Sequence, residues 1–322
     1  MGTGIADCRS HAERPLLQHT LRTPVTFTGV GLHSGKPVKM TIRPAAAGHG
    51  IWFKRVDIAL GDTMIPALYH AAEQTPLCTR LVNGAGVSVS TVEHVMAALA
   101  GCGVHNALIE IDNPEVPILD GSSAPFVRGI MARGVRAQIA PILAYEVLRP
   151  VTVERGEARA TLTPADRLTI EFHIDFADAA IGRQSKRLDM GNGAFARELC
   201  DSRTFCRHED VERMREAGLG LGGTLNNAVV VDGDTILTPG GLRHPDEAVR
   251  HKMLDALGDL ALAGGPLLGH YVGERAGHTV TNALLRELFA TPDAVRPVLC
   301  DQGISARLPG KGLALREIPQ VA

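Results

Sequence analysis

Apolar residues recur at Val92, Val95, Met96 and Leu99, the i, i+3, i+4, i+7 spacing of one helix face. They follow Ser90-Thr-Val-Glu93, which has the S-x-x-E form of a capping box. The pattern predicts a helix with Glu93 and His94 in its first turn. Short runs of β-branched and apolar residues, separated by Gly, Pro and Asn, predict strands at Val25 to Phe27, Val38 to Ile42, Val87 to Val89 and Ala107 to Ile111. After Gly129 to Gln138 the pattern restarts, with strands expected at Ala144 to Val147, Val151 to Glu154, Ala158 to Leu162 and Leu168 to Ile174. A second strong helix has Pro245 at or near its first position and runs through Leu260 to a stop at Gly264-Gly265.

The resulting expectation is an α+β chain in two units. Its 322 residues exceed what one core usually organises, and the restart puts a boundary near 140–150. No fixed-period repeat is visible. Met1 to Gln18 mixes charged and apolar residues without the layout of a signal peptide and reads as a flexible extension. The longest apolar stretches, Val95 to Val104 and Leu260 to Leu268, are shorter than the roughly 20 residues of a spanning helix. Contact with lipid is therefore expected to be peripheral or to concern a lipid substrate.

Composition removes other classes. A hydrophobic share of 45% and a charged share of 21% are those of an ordinary globular protein. A formal net charge of -2 and the absence of a basic run argue against nucleic acid as a partner. The six cysteines, Cys8, Cys78, Cys102, Cys200, Cys206 and Cys300, form no CxxC pair and suggest reduced thiols in a cytoplasm. The oligomeric state is not legible.

On the second helix His251 and Asp255 are spaced i, i+4, so both reach a common ion from one face, and Asp259 continues the stripe. Imidazole and carboxylate suit Zn²⁺, whose catalytic sites take three protein ligands and keep a fourth position open. The helix supplies only two, and such a pair is more often an exposed pair or a cap. His94 beside Glu93 has an equally plain alternative in helix-dipole complementarity. The H-E-x-x-H and P-C-x-x-C zinc patterns, the G-x-S-x-G elbow and the GxxxxGK[ST] phosphate loop are all absent.

The segments Gly29-Val-Gly-Leu-His-Ser-Gly35, Ser90-Thr-Val-Glu-His94, Pro117-Ile-Leu-Asp-Gly-Ser-Ser-Ala-Pro-Phe126, Ser202-Arg-Thr-Phe205, Arg250-His-Lys-Met-Leu-Asp-Ala-Leu-Gly-Asp259 and Ala276-Gly-His278 occur in that order. Together they closely resemble the zinc-dependent UDP-3-O-acyl-N-acetylglucosamine deacetylase family, which catalyses the committed step of lipid A synthesis in Gram-negative bacteria. The resemblance implies a zinc ion held by His94, His251 and Asp255 at a domain interface. It implies Glu93 as general base, and His278, held by Asp259, as a charged group or general acid; which of the two protonates the leaving amine stays open. Thr204 is implied to help hold the oxyanion, and Lys252, Phe176, Phe205 and Arg275 to contact the UDP-linked acylated glucosamine.

The same resemblance implies two-layer α/β sandwiches over residues 19–143 and 144–322, with small insertions near 55–82 and 204–234, the latter forming an acyl-chain passage. Two departures bear on substrate affinity. Arg275 stands where related sequences often have Lys, and Asn226 where an acidic residue is common. A His2Asp set also suits iron. Asp120-Gly-Ser-Ser123 reads as a turn, and Gly29 to Gly35, with His33, as a structural turn at most lining the cleft.

Overall fold

The computed structural model describes residues 16–75 and 77–320. The expected extension lies outside them as far as residue 15. Its last two residues belong to strand Leu17–Leu21, which pairs antiparallel with Val135–Pro141.

The fold is α+β. In the first half a five-stranded sheet runs in the order Val25–Val30, Pro37–Pro44, Ala107–Ile111, Ile51–Arg55, Met64–Pro66. Only the pairing of Ala107–Ile111 with Ile51–Arg55 is parallel. Alternation directs Val38, Met40 and Ile42 inward. Helix α1 (Glu93–Gly101) packs on helix α2 (Ala124–Arg133), and α2 covers the first strand through an edge-to-face pair of Phe126 and Phe27.

In the second half a seven-stranded sheet centres on Leu267–Glu274, which lies between Ala158–Pro164 and Leu143–Val147 and also pairs in parallel with Leu168–Asp175. A short helix α3 (Ala194–Glu198) and an exposed helix α4 (His208–Glu216) precede two long ones, α5 (Glu247–Leu260) and α6 (His278–Ala290). Helix α5 lies on Leu168–Asp175 and Arg183–Asp189, and α6 on Val151–Arg155 and Ala158–Pro164.

The halves meet helix on helix, α1 against α5. Both helices are buried almost all round, as expected of elements between two sheets rather than on a surface. One apolar cluster runs through both halves without a break. At the crossing a Cβ on Gly258 would stand 2.0 Å from the Glu93 carbonyl oxygen, so only glycine lets the backbones touch.

The expected strands all form. Helix α1 opens with Glu93 and His94 in its first turn as expected, but the expected capping box does not form. Ser90 remains in strand Ser88–Ser90, the helix has no side-chain cap, and Glu93 turns instead to the amide of Thr79. Strand-to-helix reversal is made at Thr91, whose φ of 57° is rare for a β-branched residue and is held by its hydroxyl bond to Glu115. Helix α5 begins two residues after Pro245. The chain patterns gave no sign of α2, α6 or strand Leu267–Glu274.

Gly258→Ala should lower the Tm, with a cost of about 1–3 kcal/mol from overpacking. At a roomy helix position the same change stabilises by roughly 0.5–1 kcal/mol. Thermal melting decides the sign, and a Tm at or above the parent's would rule out a tight backbone contact here.

Candidate metal centre and active site

The kink at Thr91 drops His94 into the first turn of α1, facing His251 and Asp255 on α5. All three are buried, and their ligand atoms lie within 4.8 Å of one another. Asp255 Oδ1 stands 3.6 Å from His94 Nε2 and 3.4 Å from His251 Nε2. It is buried and has no hydrogen-bond partner among the described residues. The His251 Nδ1–H donates to the Ser202 carbonyl at 3.0 Å, which leaves Nε2 as a lone pair aimed at the carboxylate. Burial pushes the His251 pKa down to about 4, so the ring is neutral. A lone pair facing an ionised oxygen in a dry pocket needs a cation between them.

The spacings agree with one. Ligand atoms about 2.0–2.2 Å from a tetrahedral ion stand roughly 3.3–3.6 Å apart. Both contacts of Asp255 Oδ1 fall at that separation. Burial works against ionisation of Asp255, but the neighbouring His251 ring and the cations Lys252 and His278 outweigh it and hold the carboxyl well below its usual range. The residues thus fit a divalent metal of the kind that accepts two imidazoles and a carboxylate.

Glu93 and His278 complete the wall. His278, the first residue of α6, donates from Nδ1 to Asp259 at 2.9 Å, and its Nε2 lies 3.7 Å from Glu93 Oε1 and 3.8 Å from Asp255 Oδ2. Burial alone would neutralise this ring. The carboxylates of Asp259, Glu93 and Asp255 more than reverse that and raise its pKa to about 9. Burial also raises the Glu93 pKa, against the opposing pull of His278 and His94.

Thr79, which no sequence pattern marked, ties these groups together. Its amide donates to Glu93 Oε2 at 3.0 Å, its hydroxyl donates to Asp259 Oδ1, and the same hydroxyl accepts from Asn282. Glu115, equally unmarked, accepts from the amides of His33 at 2.7 Å and Ser34 at 2.8 Å and so fixes the Gly29–Gly35 turn. Both ring nitrogens of His33 are buried without a partner among the described residues. Burial lowers its pKa, and the charge of His278 adds to that against Glu115. That turn therefore brings a neutral imidazole towards the site.

The remaining candidates sit around the cluster. Arg203 and Glu247 form a buried ion pair at 2.9 Å that staples the Ser202 to Phe205 segment to the start of α5. The backbone of Thr204 is held on both sides, by Gly121 and Val229, and its hydroxyl has no internal hydrogen bond among the described residues. Phe205 lies edge-on to His251 at 6.2 Å and to Phe176 at 5.4 Å. Lys252 donates to Asp255 Oδ2 at 2.9 Å, the oxygen turned away from the two ligand imidazoles. Arg275, at φ 49°, pairs with Asp175 and Glu157. Asp120 makes the expected turn, accepting from Ser122 N at 3.0 Å, and also pairs with Arg243.

The family model for UDP-3-O-acyl N-acetylglycosamine deacetylase matches residues 18–290. The chain is similar to the UDP-3-O-acyl-N-acetylglucosamine deacetylase of Phenylobacterium zucineum (strain HLK1), 50% identical over 281 residues, which cover 87% of this chain and 96% of that protein. It is 46% identical to the enzyme of the same name from Anaeromyxobacter sp. (strain Fw109-5), covering 91% and 95%. The corresponding protein of Myxococcus xanthus (strain DK1622) is also 46% identical, covering 92% and 93%.

The His278 pKa is raised, so its contribution to stability is complete below the ordinary value near 6.5 and is lost as pH rises through about 9. Replacing Asp259→Asn in metal-free protein should move the ring's titration midpoint down towards neutrality. NMR of the His278 ring protons measures this. A midpoint unchanged by the substitution would mean that Glu93 and Asp255 alone hold the charge.

Proposed function

The chain belongs to the UDP-3-O-acyl N-acetylglycosamine deacetylase family, hydrolases that act on an amide, and on that premise we propose how its residues perform the reaction. The substrate is a UDP-linked, 3-O-acylated N-acetylglucosamine, and the products are acetate and the free amine. The observation that carries the reading is the orphaned Asp255 Oδ1 facing two imidazole nitrogens, with Glu93 and His278 on the same wall.

His94, His251 and Asp255 would hold zinc, which when bound would lower the pKa of a water to about 7 and polarise a carbonyl. Glu93, its proton affinity raised by burial, takes a proton from the water that attacks the acetamide carbon. The Thr204 hydroxyl donates to the developing oxyanion. His278 stays charged at neutral pH, so it balances that negative charge and carries a proton on Nε2, the ring nitrogen nearer Glu93, for the departing amine.

Support for the substrate's other parts comes from the surroundings. Phe205 packs edge-to-face with His251 and Phe176 edge-to-face with Phe205, and the 204–234 segment carries Leu221 and Leu225 at 54% and 42% exposure, suited to an acyl chain. Lys252 and Arg275 supply cations for the sugar and diphosphate. Each is already paired with a carboxylate, so substrate must share or displace that partner. Among the described residues no helix is long and apolar enough to cross a membrane. The described cysteines are all free, in keeping with a cytoplasmic reaction.

Purified protein should release acetate from the UDP-acyl substrate, lose that activity on chelation and regain it with zinc. Glu93→Ala should lower kcat by about 10²- to 10⁴-fold with stoichiometric zinc retained, whereas Asp255→Ala should lose the metal itself. More than a tenth of parental turnover in Glu93→Ala would reject the base assignment. Hydrolysis of simple acetylated sugars in place of the UDP-acyl compound would reject the substrate.

A further inference from the structure

A second feature of the α1–α5 seam lies away from the ligand cluster. Towards the C-terminal ends of both helices is a cavity of about 440 Å³, and none of Glu93, His94, His251, Asp255 or His278 is on its wall. Its size falls within the roughly 300–1,000 Å³ of small-molecule sites. Met96 and Leu99 of α1, Leu257 and Leu260 of α5, and Ile51 and Trp52 of the first sheet provide apolar walls.

The polar residues on this wall are few and already engaged. Asn106 accepts from the Gly50 amide and donates to Gln18 and Gln138; Gln18 also accepts from Gly48 and donates to the Pro141 carbonyl. The indole N–H of Trp52 donates to the His49 carbonyl at 2.9 Å, and His105 Nδ1 accepts from the His19 amide. Burial holds His105 neutral, its pKa pushed down to about 4. Among the described residues no Asp, Glu, Lys or Arg lines the cavity. A charged ligand would lose its hydration there and gain no oppositely charged partner from the wall.

We infer that this cavity is a second binding site, separate from the metal centre, for an uncharged and largely apolar molecule such as a neutral alkyl chain. The occupant sits on the same two helices, α1 and α5, that carry the proposed metal ligands and touch backbone to backbone at Glu93 and Gly258.

Trp52 is the chain's single tryptophan, so its fluorescence reports this cavity and not the acyl passage. Titration with 10-bromodecan-1-ol, whose bromine quenches indole on contact, should give saturable quenching with one site per chain. Ala100→Phe and Ala261→Phe, which fill the cavity from opposite helices, should each abolish the saturable part while leaving the circular dichroism spectrum unchanged. If one variant does not fold, the other decides. The anionic 10-bromodecanoate should bind at least tenfold more weakly.

Quenching that is linear in concentration, or saturation that survives in the filled variants, would overturn the site. Equal affinity for the alcohol and the carboxylate would overturn its selectivity for uncharged ligands. The readout does not involve turnover, so failure of the deacetylase reading leaves this test intact.

Discussion

The site depends on the contact of two helix backbones at Gly258 and Glu93. A catalytic metal needs ligands from distant parts of the chain within a few ångströms of one another, and side chains alone bridge that gap only with loss of rigidity. Here α1 and α5 approach so closely that short His and Asp side chains suffice. Helix α5 is buried against its own sheet and α1 against α2, so neither can move without disturbing the core that runs through both halves. Preorganisation thus begins with a missing methyl group.

Around that contact the polar groups are arranged so that each buried charge has a designated partner. Thr79 bonds both Glu93 and Asp259, and Asp259 in turn holds His278. Arg203 and Glu247 neutralise each other while fixing the segment that offers its Ser202 carbonyl to His251. Breaking a buried pair of this kind leaves an uncompensated charge and is strongly destabilising. Among the described residues Asp255 Oδ1 is the buried carboxylate oxygen left without a partner, beside uncharged atoms of His33, Ser202 and Asn282 that also lack one. A buried carboxylate oxygen facing two imidazole nitrogens in this way is the mark of a cation site rather than of loose packing.

Much of this was legible in the chain because it obeys local rules. Strand patterns and the i, i+4 placement of His251 and Asp255 are consequences of period 2 and period 3.6, and both appear where expected. The motif order carried the family, and with it His94 and His278. What stayed hidden is nonlocal or contrary to propensity. Ser90 to Glu93 reads as a capping box, yet tertiary demand for Glu93 at Thr79 overrides it, and the reversal is made by a strained threonine. Thr79 and Glu115 carry no pattern of their own, since their importance lies in partners that are distant in sequence or on other elements. Helix α6 escaped because polar positions within it, Thr281 and Asn282, are buried in hydrogen bonds to Tyr271 and Thr79.

Two of the three buried histidines that flank Asp255, His251 and His278, show how one fold sets different charges a few ångströms apart. Each ring donates from Nδ1, and the acceptor decides the outcome. A peptide carbonyl faces His251 and carries no net charge, so burial prevails and the ring stays neutral with its other nitrogen free to ligate. A carboxylate faces His278, so the ring keeps its proton to about pH 9 despite equal burial. Exchanging the acceptors would leave a cation in the proposed metal site and a neutral ring where the proposed mechanism develops negative charge. The chemistry is therefore specified less by the imidazoles than by Ser202 and Asp259 behind them.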